Sequence, residues 1–230
     1  MLRRLAALLT LLVLAIPAVG FSADVHRVPT IDDLLTIKSA GGTQISPNGK
    51  WVAYTVGYGD FKQDAFVTQI WLAQSDAGKP FQLTRGDKSA TTPRWSPDGQ
   101  WLAFLSNRIE DRNQLFLINP LGGEAQQLTK SETAIGNFAW SEDGKTIAYT
   151  ATEPTAQALK DRKDYLDDYD VVREGYSYVH IWTFNVADAM NAPLAGKQRT
   201  KKNDFSVDSF SWSPDGSSIV FSATLNPDLI

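Results

Sequence analysis

Cysteine is absent from the 230-residue sequence, and histidine is nearly absent, with only His26 and His180. The lack of cysteine excludes a disulfide scaffold, a zinc site with cysteine ligands and a cysteine nucleophile. With only two histidines, a histidine-rich metal site or acid–base catalysis by histidine is not favoured. Basic residues are outnumbered, with 22 Lys and Arg against 26 Asp and Glu. A nucleic-acid partner needs a concentrated basic face, so the charge balance argues against one.

The sequence also has no apolar run long enough for a membrane-spanning helix. Its apolar run, Leu5–Ile16, has 12 residues, whereas a bilayer span needs about 20. The run follows Arg3 and Arg4 and precedes the small residues Ala18–Gly20, which is the pattern of a secretory signal. We predict a signal peptide over residues 1–22, export to the periplasm or the exterior, and no stable membrane anchor after cleavage. A buried N-terminal helix and a retained anchor are the alternatives.

Aromatic residues and turn formers are abundant, with seven Trp, seven Tyr, 11 Phe, 16 Gly and 11 Pro. This composition favours a folded chain rich in β-strands and tight turns. One pattern recurs four times: an apolar residue, Ser, Pro or Glu, Asp or Asn, Gly, and then an apolar and aromatic run. The copies are Ile45–Tyr54, Trp95–Phe104, Trp140–Tyr149 and Trp212–Phe221.

Each position of the repeated motif suits a tight turn between antiparallel strands. Ser fits the first position of a type I turn, Pro presets φ at the second, and Gly accepts positive φ at the end. Short loops of this kind join the two strands of a hairpin. Glu142 takes the place of Pro in the third copy, which we expect to loosen the turn without changing its type.

Two further elements recur between the copies. A third strand is predicted at Gln69–Leu72, Gln114–Leu117 and His180–Thr183, and a fourth strand ends each time in Thr. Four antiparallel strands in about 45 residues form one blade of a β-propeller. We therefore predict an all-β fold, a partial TolB-like propeller of about three and a half four-stranded blades. The space between blades is predicted to be filled by Trp95, Trp140 and Trp212.

The repeat spacing sets the predicted domain boundaries. A signal peptide over residues 1–22 is followed by a lead-in segment with a short helix over 23–42 and by an incomplete propeller over 43–230. The propeller divides into blade 1 (43–87), blade 2 (92–131), blade 3 (136–202) and half of blade 4 (208–224). Because blade 4 lacks its last two strands, we expect the sequence to be a fragment of a longer chain.

Blade 3 contains a charged insertion over residues 153–178, for which a short helix over 156–164 is predicted. Long insertions on a regular scaffold often carry function; the alternative is a solvated excursion between the second and third strands. Asp167, Asp168 and Asp170 resemble part of a calcium loop. They lack the glycine and the distal bidentate glutamate of that motif, so no metal is predicted.

The repeats and the export signal together resemble secreted members of the prolyl oligopeptidase family, in the branch of acylaminoacyl-peptidases and dipeptidyl-aminopeptidases. Val28–Leu35 is similar to the helix before the first blade of that branch, and Leu105–Arg108 to its Ser-Asp/Asn-Arg strand end. Val171–Gly175 followed by His180–Trp182 resembles its insertion and third-blade strand. The resemblance covers about residues 28–224. TolB-type propellers share the turn motif alone.

The resemblance implies that an α/β-hydrolase domain with a Ser-Asp-His triad follows the propeller. This sequence contains no Gly-x-Ser-x-Gly nucleophile motif, and neither His26 nor His180 is expected to be a triad base. We therefore expect a noncatalytic N-terminal propeller fragment of an exported serine peptidase, with no catalytic residue, metal or cofactor of its own. Its partners would be the hydrolase domain of the same parent chain and the peptide substrates of that parent.

In that family the propeller narrows access to the active site and helps to read the amino end of the substrate. A carboxylate suits this task because it pairs with an ammonium group. Glu174 is the candidate, and Arg173 is a candidate partner for a substrate carbonyl or carboxylate. The paired glutamates of the dipeptidyl-peptidase branch are not matched. Two other functions remain open: a periplasmic TolB-like protein-binding module, and a propeller enzyme such as a lactonase, for which no metal ligands repeat at blade spacing.

Overall fold

The computed structural model describes residues 27–76, 78–154, 160–161, 165, 177–201 and 204–225. The chain forms two compact units, Met1–Leu34 and Leu35–Ile230. Thr30 begins helix α1 (Ile31–Leu35) with a reciprocal cap, which confirms the predicted short helix. The Asp33 amide donates to Thr30 Oγ1 at 3.3 Å, and the Thr30 amide donates to Asp33 Oδ2 at 2.8 Å. In the part of the chain described, no helix is long and apolar enough to cross a membrane.

The second unit consists of three four-stranded antiparallel sheets and one two-stranded sheet. Strands that are consecutive in sequence are neighbours in each sheet, as in the blades of a propeller. The predicted fold class is therefore confirmed. The first sheet holds β1 (Ser39–Ile45), β2 (Trp51–Asp60), β3 (Ala65–Gln74) and β4 (Phe81–Gln82); the second holds β5 (Ala90–Trp95), β6 (Leu102–Ile109), β7 (Arg112–Ile118) and β8 (Gln126–Gln127); the third holds β9 (Ile135–Trp140), β10 (Thr146–Thr152), β11 (Val179–Asn185) and β12 (Lys197–Gln198); the fourth holds β13 (Phe205–Trp212) and β14 (Ile219–Leu225).

The four repeated motifs form the same turn, as the sequence predicts. In each of them the glycine has a φ between 68° and 70°, in the left-handed region. The glycine amide donates to the serine carbonyl at 2.8 or 2.9 Å. The side-chain Oδ1 of the Asp or Asn accepts from the serine hydroxyl. Glu142 leaves the turn type unchanged, because Gly144 keeps both the positive φ and the hydrogen bond to Ser141.

The turns of successive sheets pack on one another. A Cβ added at Gly99 would lie 3.4 Å from Pro47 Cδ, and one at Gly144 would lie 3.4 Å from Pro97 Cδ. In the last turn the nearest atoms to such a Cβ at Gly216 belong to Glu142, at 3.9 Å. The proline ring of one turn therefore lies against the glycine of the next turn. In the third turn Glu142 stands in place of proline, so Gly216 of the last turn has no proline ring against it.

Glu142→Pro is expected to stabilise the protein by about 0.4–1 kcal/mol. The turn at this position already has the geometry that the proline turns have, so the ring fits without strain and restricts the unfolded chain. Urea unfolding monitored by tryptophan fluorescence measures the gain, with Glu142→Ala as the control that removes the side chain without adding a ring. A lower unfolding midpoint for the proline variant would contradict this expectation.

Tryptophan side chains fill the space between adjacent sheets, as predicted. Trp95 is buried among residues of the first and second sheets, and its indole N–H donates to the Gln44 carbonyl at 3.2 Å. Trp212 packs between the third and fourth sheets, and its indole N–H donates to the Ala139 carbonyl at 3.3 Å. Trp140 packs against the core of the second and third sheets. The indole hydrogen bonds of Trp95 and Trp212 thus join the first strands of neighbouring sheets.

A short helix that the sequence analysis did not predict lies between β11 and β12. This helix, α2 (Val186–Asn191), begins at Asn185, whose side chain accepts from the Asp188 amide. Leu194, in the segment after the helix, pairs with the outer edge of the second sheet. Its amide donates to the Leu128 carbonyl at 3.0 Å, and its carbonyl accepts from the Lys130 amide at 2.8 Å. The connection therefore fastens the third sheet to the second.

Candidate functional site

The connections between the second and third strands leave the first three sheets at one end, called here the hairpin end. The insertion over residues 153–178 belongs to this end, because it joins β10 to β11. The predicted substrate contacts Arg173 and Glu174 lie outside the described residues. So do the three aspartates of the calcium-like loop, most of the predicted 156–164 helix, and His26. The described part of the hairpin end therefore consists mainly of the strand ends and the residues next to them.

A polar pair holds the fourth strand to the third strand in the first sheet. The Thr84 hydroxyl donates to Gln69 Oε1 at 2.8 Å and accepts from the Ile70 amide at 2.8 Å. The Gln69 amide nitrogen donates to the carbonyls of Gly86 and Lys88, at 2.9 and 3.0 Å. Gln69 and Thr84 are both buried. We call this arrangement the strand anchor, since it fixes both the end of β4 and the chain that leads to the next sheet.

The second sheet repeats the strand anchor with Gln114 and Thr129. The Thr129 hydroxyl donates to Gln114 Oε1 at 2.7 Å and accepts from the Leu115 amide at 2.9 Å. Gln114 donates to the Ser131 carbonyl at 2.9 Å and accepts from the Ser131 amide at 2.9 Å. The recurring Gln and Thr of the sequence are thus bonded to each other in both sheets.

In the third sheet His180 takes the place of the glutamine. The Ile181 amide donates to Thr200 Oγ1 at 3.0 Å, and His180 Nδ1 lies 3.0 Å from the same oxygen. His180 is completely buried, and its Nε2 lies 3.4 Å from Glu153 Oε1. Burial lowers the pKa of His180, and the carboxylate of Glu153 opposes that effect. His180 therefore belongs to a strand anchor.

Arg108 lies near the end of β6, at the hairpin end of the second sheet. Its Cζ lies 4.9 Å from the ring centre of Phe116 and 5.5 Å from that of Phe104. Its Nε donates to Ser106 Oγ at 3.0 Å, and Ser106 in turn donates to the Ser89 carbonyl. Burial lowers the pKa of Arg108. None of the ion pairs among the described residues involves this guanidinium, which suits it to a carbonyl or carboxylate acceptor.

A cavity of about 420 Å³ lies at the opposite end of the second and third sheets. Trp101, Trp140 and Met190 form its apolar wall, and Asp98 and Asp143 contribute carboxylates. Both carboxylates accept hydrogen bonds from hydroxyl and amide groups of their own turns. The cavity is therefore lined in part by structural turns, whose carboxylates are already hydrogen-bonded.

This chain has relatives among known peptidases. No family model matches the chain. It is 35% identical over 214 residues to dipeptidyl-peptidase 5 of Porphyromonas endodontalis, covering 88% of this chain and 31% of that protein. It is 32% identical over 209 residues to the uncharacterized peptidase YuxL of Bacillus subtilis, covering 86% of this chain and 32% of that one. Both relatives are peptidases, in accord with the resemblance of this propeller segment to the prolyl oligopeptidase family. The chain spans about a third of the length of the curated relatives it matches.

Solved structures show the same fold at lower identity. The acylaminoacyl peptidase of Pyrococcus horikoshii superposes with a TM-score of 0.59 at 16% identity, covering 82% of this chain and 28% of that one. TolB of Acinetobacter baumannii superposes with a TM-score of 0.50 at 19% identity, covering 78% and 36%. These similarities support the TolB-like propeller architecture of this segment and carry no information about its substrate.

Proposed function

We propose that this chain is the noncatalytic propeller part of an exported serine peptidase, whose α/β-hydrolase domain lies in the same parent chain. The observation that carries the proposal is the 35% identity to dipeptidyl-peptidase 5 over 88% of this chain, which corresponds to only 31% of that protein. The absence of Gly-x-Ser-x-Gly from the sequence supports it, because the nucleophile must then come from another part of the parent.

The role proposed for the propeller is to limit access to the active site and to bind the substrate near its amino end. Glu174 of the insertion would pair with the substrate ammonium group, and Arg173 with a carbonyl or carboxylate. Arg108 adds a half-buried guanidinium at the same hairpin end, held against two aromatic rings. An ion pair between one of these side chains and a charged group of the substrate becomes stronger when the bound peptide excludes water.

Export is the second part of the proposal. The basic start, the 12-residue apolar run and the small residues up to Gly20 support a cleaved signal peptide over residues 1–22. Expression with the native N-terminus, followed by fractionation and N-terminal sequencing, tests this directly. A mature protein that begins near residue 23 in the exported fraction supports export, and an intact Met1 in the cytosol overturns it.

The peptidase assignment is tested with the parent gene, read past codon 230. The parent protein is expected to release dipeptides from fluorogenic peptides with a free amino end, whereas residues 23–230 alone are expected to release none. In the parent, Glu174→Gln should raise KM for peptides with a free amino end about tenfold and leave N-acetylated peptides unchanged, since one charge-assisted hydrogen bond is lost. Glu132→Gln, at an exposed loop position, is the control. A reading frame without a hydrolase domain would overturn the proposal.

A further inference from the structure

The third sheet differs from the first two on the face that it turns toward the next sheet. In the first two sheets this face carries a Trp at the start of the second strand, a Leu in the third strand and a Leu directly after the fourth. The matched residues are Trp51, Leu72 and Leu83 in the first sheet, Trp101, Leu117 and Leu128 in the second, and Thr146, Thr183 and Arg199 in the third. An apolar face thus becomes polar and cationic at all three positions.

The apolar faces of the first two sheets are covered by the third strand of the sheet that follows. Leu72 shares a buried cluster with Phe116 and Ile118 of β7. Leu117 shares another buried cluster with Phe184 of β11. Within the described residues the fourth sheet has only β13 and β14. The matching face of the third sheet therefore has no third strand over it in this part of the chain.

The fourth sheet nevertheless stacks on the third sheet in the regular way. The Trp212 indole donates to the Ala139 carbonyl at 3.3 Å, just as the Trp95 indole donates to the Gln44 carbonyl at 3.2 Å. Strand β14 pairs antiparallel with β13, as β6 pairs with β5. A strand added beside β14 would therefore lie over β11, in the way that β7 lies over β3.

Thr183 and Arg199 are bonded to each other on the polar face. Arg199 Nε donates to Thr183 Oγ1 at 2.6 Å, and Thr183 is buried whereas Arg199 is exposed. None of the ion pairs among the described residues involves Arg199 or Lys197, which lies two residues earlier. A cavity of about 460 Å³ is lined by these three residues and by Thr146. The face therefore presents two cations without a carboxylate partner in the described part of the chain.

The chemistry of this face restricts what can cover it. A strand with apolar side chains would bury the Arg199 guanidinium without an anion, which is strongly unfavourable. A carboxylate removes that cost, because it accepts two parallel hydrogen bonds from a guanidinium and neutralises its charge. Since the Nε of Arg199 already donates to Thr183, its terminal nitrogens are the donors left for such a partner.

We propose that the face formed by Thr183, Lys197 and Arg199 is the docking surface for an acidic third strand of the fourth sheet, supplied by the parent chain after β14. This strand carries Asp or Glu at the position that Phe116 or Ile118 has in the second sheet, and its carboxylate pairs with Arg199. The inference rests on the proposed function in one respect, since the parent chain must continue beyond β14.

The first test is the sequence of the parent gene past codon 230. The repeat that matches Gln114–Leu117 should recur after β14, with Asp or Glu at the position of Phe116 or two residues later. Apolar residues at both positions, in a parent that has a hydrolase domain, overturn the docking surface alone. An acidic third strand in a parent without a hydrolase domain overturns the peptidase proposal alone.

The second test measures the reactivity of Arg199 in the wild-type parent protein, so that no variant has to fold. Phenylglyoxal modifies exposed arginines, and mass spectrometry after limited reaction gives the rate at each site. Arg199 should react about tenfold or more slowly than Arg85, because modification of a covered, paired guanidinium requires local opening. Arg85 is exposed and serves as the internal control. Equal rates at the two arginines overturn the proposal.

The third test distinguishes a carboxylate partner from an apolar one. In the parent, Arg199→Leu should shift the urea midpoint to lower concentration, because it leaves the carboxylate covered and unpaired. Replacing that carboxylate by leucine as well should return the midpoint toward the wild-type value. Lys201→Leu is the matched control, since Lys201 is exposed and does not line the cavity. A higher midpoint for Arg199→Leu alone would mean that an apolar strand covers this face, and the proposal would then be wrong.

Discussion

Thr129→Val is expected to lower the free energy of unfolding by roughly 2–4 kcal/mol. Valine has nearly the shape of threonine, so the packing around this fully buried residue is kept. The lost hydroxyl leaves the buried Leu115 amide without its acceptor and removes one of the two donors to Gln114 Oε1. An unpaired buried amide costs its full desolvation penalty, which exceeds the average value of a hydrogen bond.

Thr129→Ser separates the hydrogen bonds from the packing. It keeps the hydroxyl and removes a methyl group, so its expected cost is only about 1 kcal/mol. Thr84→Val repeats the main substitution in the first sheet, where the bond lengths are the same to within 0.1 Å. Urea unfolding curves of the four proteins provide the comparison. A serine variant that is less stable than the valine variant would show that the anchor is held by packing instead of hydrogen bonds.

The repeated turns could be predicted from the sequence because their interactions are local. In each turn the Ser hydroxyl, the Asp or Asn side chain and the Gly φ lie within five residues, so the residue types specify the conformation. Four copies, with their serines at 46, 96, 141 and 213, then give the sheets and their order. The strand anchors depend on pairs such as Gln114 and Thr129, 15 residues apart. The sequence shows that both residues recur, but only the register of β7 and β8 shows that they bond.

The elements that sequence patterns did not predict are those fixed by tertiary contacts. Helix α2 has six residues and no repeat of apolar positions, and its connection is held by Leu194 pairing with the edge of the second sheet. The environment of His180 also could not be predicted from one residue, because it comes from Glu153, which follows β10, and from Thr200, in the segment after β12. The substrate contacts predicted at Arg173 and Glu174 stay a prediction, since both lie outside the described residues.

Gly196→Ala is expected to destabilise the protein by roughly 2–4 kcal/mol, more than an alanine at the repeated turns. Gly196 has a φ of 81°, and an added Cβ would lie 2.6 Å from Tyr149 Oη. Tyr149 is completely buried, and its hydroxyl donates to the Ala195 carbonyl. Burial raises the pKa of this hydroxyl to about 12, so it remains a neutral donor at ordinary pH. The Tyr149 ring packs against Trp182 and Phe184, with ring centres 6.4 and 6.0 Å away, so a shift of the ring would disturb both contacts.

Gly49→Ala is the matched control, because Gly49 has a φ of 69° and no atom within 4 Å of an added Cβ. It should report the backbone strain alone, about 1–2 kcal/mol. Tyr149→Phe then tests the clash: it removes the hydroxyl and should cost about 1–2 kcal/mol in the wild type, through the unpaired Ala195 carbonyl. In the Gly196→Ala background it should cost less, because the methyl group gains the space of the oxygen. Equal costs for Gly49→Ala and Gly196→Ala would show that the segment after α2 moves away from Tyr149, and that its attachment to the second sheet is weaker than its hydrogen bonds indicate.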